Sequence, residues 1–497
     1  MSIIFKNKIM KRIFSAVLAT TFIFGLHAQK SKIDFVEYDL DNGMHVILHE
    51  DNSTPIVAVS ILYHVGSKNE NPDRTGFAHF FEHLMFEGSK NIDRGEFDQY
   101  IERNGGTLNA NTSQDRTYYY EIFSSNNLEL GLWLESERLL HAKVDNKGIE
   151  TQRQVVKEEK RQRVDNQPYG SFMASAFDRL YEKHPYKWTP IGYMEHLDAA
   201  QEEDFINFYK TFYVPANATL SIAGDIDIEE AKVLIDKYFA TIPKGQAINL
   251  YRDYLALDND AFTAKYGKGK AIFNEDDFFN TTSKDGMGMI NEYKKKETVI
   301  PRPNIVEPKL TKEIIDTVYD NIQLPAVFIG YHSPRQNRKE AYALEMFNAI
   351  ISGGTSARMN KNIVEEKELA MAAFSFAFPL EDPGIALFAG IAAKDVEIDS
   401  LKDALDAEIN RAKTELVTET EFQKVKNQFE NDFYSANSSV AGKAESLADN
   451  YVYFKNTNLI NEQLTVCEDI TREDLMEVAK KYFTKDARLV LYYLPKK

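Results

Sequence analysis

One unit occurs twice in this chain. Glu203-Asp204-Phe205 runs through Phe212-Tyr213 to Ala218-Thr219-Leu220. Glu473-Asp474-Leu475 runs in the same way through Tyr482-Phe483 to Ala487-Arg488-Leu489. Each copy reads as a helix followed within a few residues by a strand. A supersecondary unit that recurs at such a separation points to duplication. In 497 residues the simplest result is two related domains of about 200 residues each.

The first copy closes a run of alternating strands and helices. Phe35–Leu40 and Met44–His49 flank Asp41-Asn42-Gly43, and Asn-Gly is the strongest short hairpin signal. Ile56–Val65 is apolar enough to be a central strand. Thr107–Thr112 and Thr117–Phe123 are strands around a polar turn. Asn127–Leu140 and Lys147–Val164 are helical by pattern. The first domain is thus assigned to 33–245. Residues 246–305 mix Asp, Asn, Lys, Gly and isolated aromatics without a sustained period, and read as linker with an insertion. The second domain restarts at about Val306 and is assigned to 306–497.

The chemistry concentrates in 76–88, Gly-Phe-Ala-His-Phe-Phe-Glu-His-Leu-Met-Phe-Glu-Gly. Phe77, Phe80, Phe81, Leu84 and Met85 recur at helical spacing. On a helix His79 and His83 lie on one side, about 6 Å apart along the axis, and can converge on one metal ion. Glu82 flanks the same face and can reach a water on that ion without being a ligand. This is the H-x-x-E-H order of inverted zinc peptidases. His45 and His49 share the spacing but sit in an alternating stretch. Four strand residues span about 13 Å, too far for one metal.

Two histidines need a third protein ligand, and a carboxylate on a separate helix supplies it in many zinc sites. Glu158 and Glu159 point about 100° apart on the helix through Lys147–Val164, so only one faces the metal. Val155 and Val156 mark the buried side, and the position three to four residues on is Glu159.

Charge and leader bound the setting. The chain carries 59 basic and 76 acidic residues, a net charge of -17, which argues against nucleic acid as ligand. Lys6, Lys8, Lys11 and Arg12 precede an apolar run from Ile13 to Leu26. That run is short for a membrane span, and Leu26-His27-Ala28 is an acceptable cleavage site. Residues 1–28 are therefore predicted to be a cleaved signal peptide, with export to the periplasm or beyond and no stable membrane span. Cys467 is the single cysteine, so no internal disulfide can form.

The sequence resembles the pitrilysin/insulysin zinc peptidases, and among them the short bacterial members related to the mitochondrial processing peptidase. The resemblance covers about 33–245 and 306–497. It rests on Gly76–Gly88, on Leu108–Thr112, on Arg153–Glu159 and on Gly353–Arg358. It implies an α+β fold in which two related α/β sandwich halves close as a clam shell around a peptide. It implies one zinc ion per chain on His79, His83 and Glu159, with Glu82 as the catalytic base. It also implies that Asn109, Ala110 and Thr112, on a strand that chemistry alone leaves open as a plain exposed edge, hold substrate backbone. Three departures stand out, the first being an insertion at 246–305 that is longer than usual. Gln152 occupies a position where relatives often carry glutamate. An arginine and a tyrosine that contact substrate from the second half of active relatives fall here on Val364 and Met371.

The expected function is zinc-dependent hydrolysis of unstructured peptides. The missing donors point to a related partner subunit that supplies them; the alternative is a monomer or homodimer using a donor such as Arg358. A structural subunit without catalysis, or a peptide-binding module that keeps zinc for stability, remain the other classes.

Overall fold

The computed structural model describes residues 32–279 and 286–496, so the expected leader lies outside the described residues. The described residues from Phe35 onward form one compact unit. Its first sheet contains β1 (Val36–Asp39), β2 (His45–Glu50), β3 (Ile56–Tyr63), β4 (Thr107–Thr112), β5 (Thr117–Ser124) and β6 (Ala218–Gly224). Its second contains β7 (Ile314–Asp320), β8 (Ala326–His332), β9 (Ala370–Phe378), β10 (Ile385–Ala392) and β11 (Leu489–Pro495). The strand orders are β1-β2-β6-β3-β5-β4 and β7-β11-β8-β10-β9. Without β1 the two orders are the same. In each sheet the half's final strand lies parallel to one neighbour (β2 with β6, β7 with β11). The other pairs are antiparallel. The duplication read from the helix-to-strand units thus extends to the whole sheet.

The helices of the first half are α1 (Phe77–Leu84), α2 (Glu96–Arg103), α3 (Leu128–His141), α4 (Asn146–Lys160), α5 (Phe172–Leu180), α6 (Met194–Ala199) and α7 (Glu202–Phe212). α8 (Ile228–Ile235), α9 (Ala247–Ala256), α10 (Asn259–Tyr266) and α11 (Met287–Lys295) follow β6. The second half carries α12 (Lys339–Ser352), α13 (Ile398–Thr414), α14 (Glu419–Ala436), α15 (Val440–Phe454), α16 (Leu459–Glu468) and α17 (Arg472–Tyr482). Between the last two strands of each half run five helices in the same succession, α3 to α7 and α13 to α17.

Strand alternation puts each sheet's two faces against different helices. Val57, Val59 and Ile61 of β3 face the large core that holds α1, α3 and α7. Ala58 and Leu62 face the other way, onto Val440, Ala444, Ala448 and Val452 of α15. In return, Ala176, Phe177 and Leu180 of α5 pack on Phe328, Leu387 and Leu491 of the second sheet. Each half therefore lends one helix to its counterpart's sheet. Small residues make the first contact close: Ser221 Oγ donates to the Ala444 carbonyl at 2.8 Å.

The turn between β9 and β10 also docks on the first half. Glu381 accepts from Lys68 at 2.5 Å and meets His64 at 3.0 Å. Asp382 meets His184 at 3.2 Å, and Lys68 also pairs with Asp115 at 2.8 Å.

Residues 246–305 are expected to be linker with an insertion, and the structure shows where much of the insertion packs. α9, α10 and α11 bury Ile248, Leu250, Tyr251, Phe262, Met287 and Ile290 in the first core, and Phe273 and Phe278, between α10 and α11, join them. Much of the insertion is therefore part of the first half's packing, and an extended connection runs between α11 and β7.

Candidate metal centre

α1 presents its apolar side to the core through Phe77, Phe80, Phe81 and Leu84. That orientation leaves His79 and His83 on the opposite side, half-buried. Glu159, near the end of α4, meets them there. Its Oε2 lies 3.4 Å from His79 Nε2 and 3.2 Å from His83 Nε2. The two Nε2 atoms are 3.4 Å apart, and the rings stand at 87°. Among the described residues this is the one group of three or more such side chains gathered closely enough to hold a metal.

The spacing suits zinc. A tetrahedron with bonds of about 2.0–2.1 Å has edges of about 3.3–3.4 Å. Two imidazoles and a carboxylate are an ordinary catalytic zinc set with a fourth position open. Burial, and then the neighbouring His83, push the His79 pKa down to about 4, so near neutrality its ring offers a lone pair. The His83 hydrogen bond holds Glu159 below the usual carboxylate range. His79 Nδ1 and Gln152 Oε1 are both buried without a hydrogen-bond partner.

The neighbours separate roles. Glu159 Oε1 is bound by Arg163 at 2.8 Å, which leaves Oε2 toward the histidines. Glu158 points elsewhere: it is exposed and bonds Arg161 at 3.2 Å and Gln162 at 3.1 Å. Val156 is buried while Val155 is not, so the three-residue step from Val156 is the one that finds the site. Arg163 was not visible as a site residue in the sequence; its signal is the i, i+4 spacing from Glu159. Gln152 donates to Glu87 at 2.5 Å, and Arg94 lies 2.5 Å from the same carboxylate.

Glu82 is on α1 beside the histidines. Its carboxylate accepts from Thr112 Oγ1 at 2.6 Å. Burial pushes its pKa above the usual carboxylate range, as suits a group that takes and returns a proton. Thr112 ties it to β4, the edge strand of the first sheet. Asn109 is exposed there, Ala110 and Thr112 are half-buried, and the Ala110 N–H is taken by Asn109 Oδ1 at 2.9 Å. The sequence-predicted strand, base and ligands are thus neighbours.

The second half offers less. Val364 packs against the second core, and Met371 is exposed at the start of β9. Arg358, the substitute donor considered from the sequence, is buried. Both Nε and Nη2 bind Glu421 at 2.7 Å, so it is committed to a structural pair. The control histidine His45 lies on β2, bonded to Asp39 at 2.8 Å and stacked on Tyr451.

Comparison with known proteins gives the family. The profile of the insulinase family (peptidase family M16) matches residues 45–186, and that of the peptidase M16 inactive domain matches 199–429. The chain is 30% identical to a Helicobacter pylori protein named zinc protease PqqE, over 97% of each chain. A probable mitochondrial-processing peptidase subunit beta of Schizosaccharomyces pombe is 29% identical over 42% of this chain and 46% of its own. The crystal structure of a protease from Helicobacter pylori superposes with a TM-score of 0.78 at 28% identity, covering 93% of this chain and 100% of that one. The chain belongs to the insulinase family of zinc peptidases.

Proposed function

We propose that this member of the insulinase family is a catalytically competent zinc endopeptidase acting on unstructured peptides. The observation that carries the reading is the convergence of His79, His83 and Glu159 at about zinc-tetrahedron spacing, with Glu82 alongside. Zinc, when bound, acts as a Lewis acid toward water and the scissile carbonyl. The chain's own residues do the rest. His79, His83 and Glu159 hold the ion, and Arg163 fixes which Glu159 oxygen faces it. Glu82 takes a proton from the attacking water and delivers it to the leaving amine. The free edge of β4 accepts extended backbone beside that carboxylate through Asn109, Ala110 and Thr112.

The active form is proposed to contain a related second subunit. With Val364 and Met371 unable to donate, and Arg358 locked on Glu421, the second half leaves the developing oxyanion short of donors. Loss of one such donor costs about 2.7–4 kcal/mol. Export to the periplasm fits the leader-like first 28 residues. The test is direct. Purify the chain, measure zinc, and assay an unstructured peptide library with and without a related subunit that carries the arginine and tyrosine. Zinc near one per chain, with turnover that rises sharply on adding the subunit, is expected. Turnover of about 1–10³ per second by the chain alone would remove the partner. Zinc without turnover under any condition would leave a binding module.

A further inference from the structure

The metal helix is short, and one end of it carries a ligand. α1 has eight residues, and its N-cap is Gly76, with φ of 92° and no side chain to cap the helix. His79 is the third residue of α1, in the first turn; His83 is in the last. The first N–H groups of any helix lack partners within it, and so short a helix is marginal by itself. The turn that carries His79 is therefore the part of the site with the least support of its own.

Support comes from Glu70, in the loop before the helix. Its Oε2 accepts from the Gly76 N–H at 2.9 Å and its Oε1 from the Ala78 N–H at 2.8 Å. The Trp188 indole N–H also donates to Oε2, at 3.0 Å. All three partners are donors, so the carboxyl serves as an acceptor on both oxygens. Burial opposes the charge and pushes its pKa up to about 8; the three donors and the positive end of α1 are what the charged form has in compensation. The surroundings fix the same corner. Thr75 Oγ1 meets His196 Nδ1 at 2.9 Å, and Gly192 lies so near Gly76 that a Cβ would come within 2.5 Å of it.

Resting on the peptidase reading, we propose that Glu70 is a positioning residue of the metal centre, holding the first turn of α1 so that His79 meets His83 and Glu159. It touches neither metal nor substrate. Its role is to keep one ligand in register with the other two, as outer partners of metal ligands do elsewhere.

The test compares zinc affinity rather than turnover. Glu70→Gln keeps the size but offers one acceptor oxygen where the carboxyl offers two. Zinc affinity by chelator competition is expected to fall about 10–100-fold, and the cobalt-substituted protein should show an altered visible spectrum. Trp188→Phe removes one donor to Glu70, and a smaller loss in the same direction is expected. Asp227→Ala removes an ordinary cap, the one that accepts the Glu230 N–H at 2.8 Å at the start of α8. It should lower stability while leaving zinc affinity and the cobalt spectrum unchanged. If Glu70→Gln does not fold, Trp188→Phe decides. A folded Glu70→Gln, or failing it Trp188→Phe, with wild-type affinity and spectrum would overturn the proposal and leave the peptidase reading intact. A wild type that takes up no zinc would overturn both.

Discussion

The two halves share a strand order and a helix succession, yet among the described residues only the first gathers a set of metal-ligating side chains. Of ten histidines, His332 alone lies beyond residue 306, so the second half has no pair to set on α12, the counterpart of α1. Its edge strand β9 reads Ala-Met-Ala-Ala-Phe-Ser-Phe-Ala-Phe where β4 reads Thr-Leu-Asn-Ala-Asn-Thr. On α14, the counterpart of the Glu159 helix, the closing turns carry Phe429, Phe433 and Tyr434. The same backbone plan therefore supports a polar metal centre in one half and an apolar surface in the other. Fold and function separate here at the level of side chains.

The largest effect should come from the group that makes the first half reactive. Glu82→Gln is expected to keep zinc and to lower turnover by about 10²–10⁴. Zinc content and peptide cleavage measured on one preparation check it. If the variant lost zinc but kept turnover, base and ligand would have been confused, and the contrast between the halves would rest on something else.

Next is the choice between adjacent glutamates. Glu159→Gln should weaken zinc binding by more than the 10–100-fold typical of outer partners, because it removes a charged ligand. Glu158→Gln should change it little, since Glu158 is exposed and paired with Arg161 and Gln162. Equilibrium dialysis of the two variants separates them, and an equal loss in both would overturn the assignment.

Much of this was legible in the sequence. The spacing of His79, Glu82 and His83 determines geometry wherever a helix forms, and apolar Phe80 and Phe81 guarantee which side faces out. Asn42-Gly43 closes the predicted hairpin, with Gly43 at φ of 93°. What was not legible depends on contacts distant along the chain. α15 has the pattern of any amphipathic helix, and nothing local says that Ala444 and Ala448 will lie on the opposite half's sheet. The insertion at 246–305 escaped because its buried aromatics, Tyr251, Phe262, Phe273 and Phe278, are spread over short helices without a sustained period. Glu70 escaped because an acidic residue in a polar loop looks solvated until the helix that it caps is in place.

The exchanged helices make a further prediction about how separable the halves are. Phe177 is fully buried on the second sheet but belongs to the first half's chain. Phe177→Ala should cost about 3–5 kcal/mol. If the exchange couples the halves, the whole unit will unfold in one transition at a lower temperature. Near-ultraviolet dichroism and zinc release would then share a midpoint. Two separated transitions would mean that the halves unfold independently despite the exchange.

The turn between β9 and β10 gives the smallest effect and the finest test of the same coupling. Burial works against the charge on Glu381, but His64 and Lys68 outweigh it and hold the pKa at about 2. A carboxylate depressed in the fold stabilises above its unfolded value, about 4.3, and that contribution is lost as pH falls toward 2. His64 is pushed down by burial, so its share is present above about 6.5 and is also lost on acidification. Both signs agree: the clasp between the halves should weaken from about pH 6.5 downward. Glu381→Gln should lower stability at pH 7 by about 1–3 kcal/mol, allowing for partial exposure, and flatten the decline in acid. Near pH 2 variant and wild type should melt together. Parallel melting curves from pH 7 to 2, with no convergence, would show that the clasp carries no pH-dependent stability and that the exchanged helices alone join the halves.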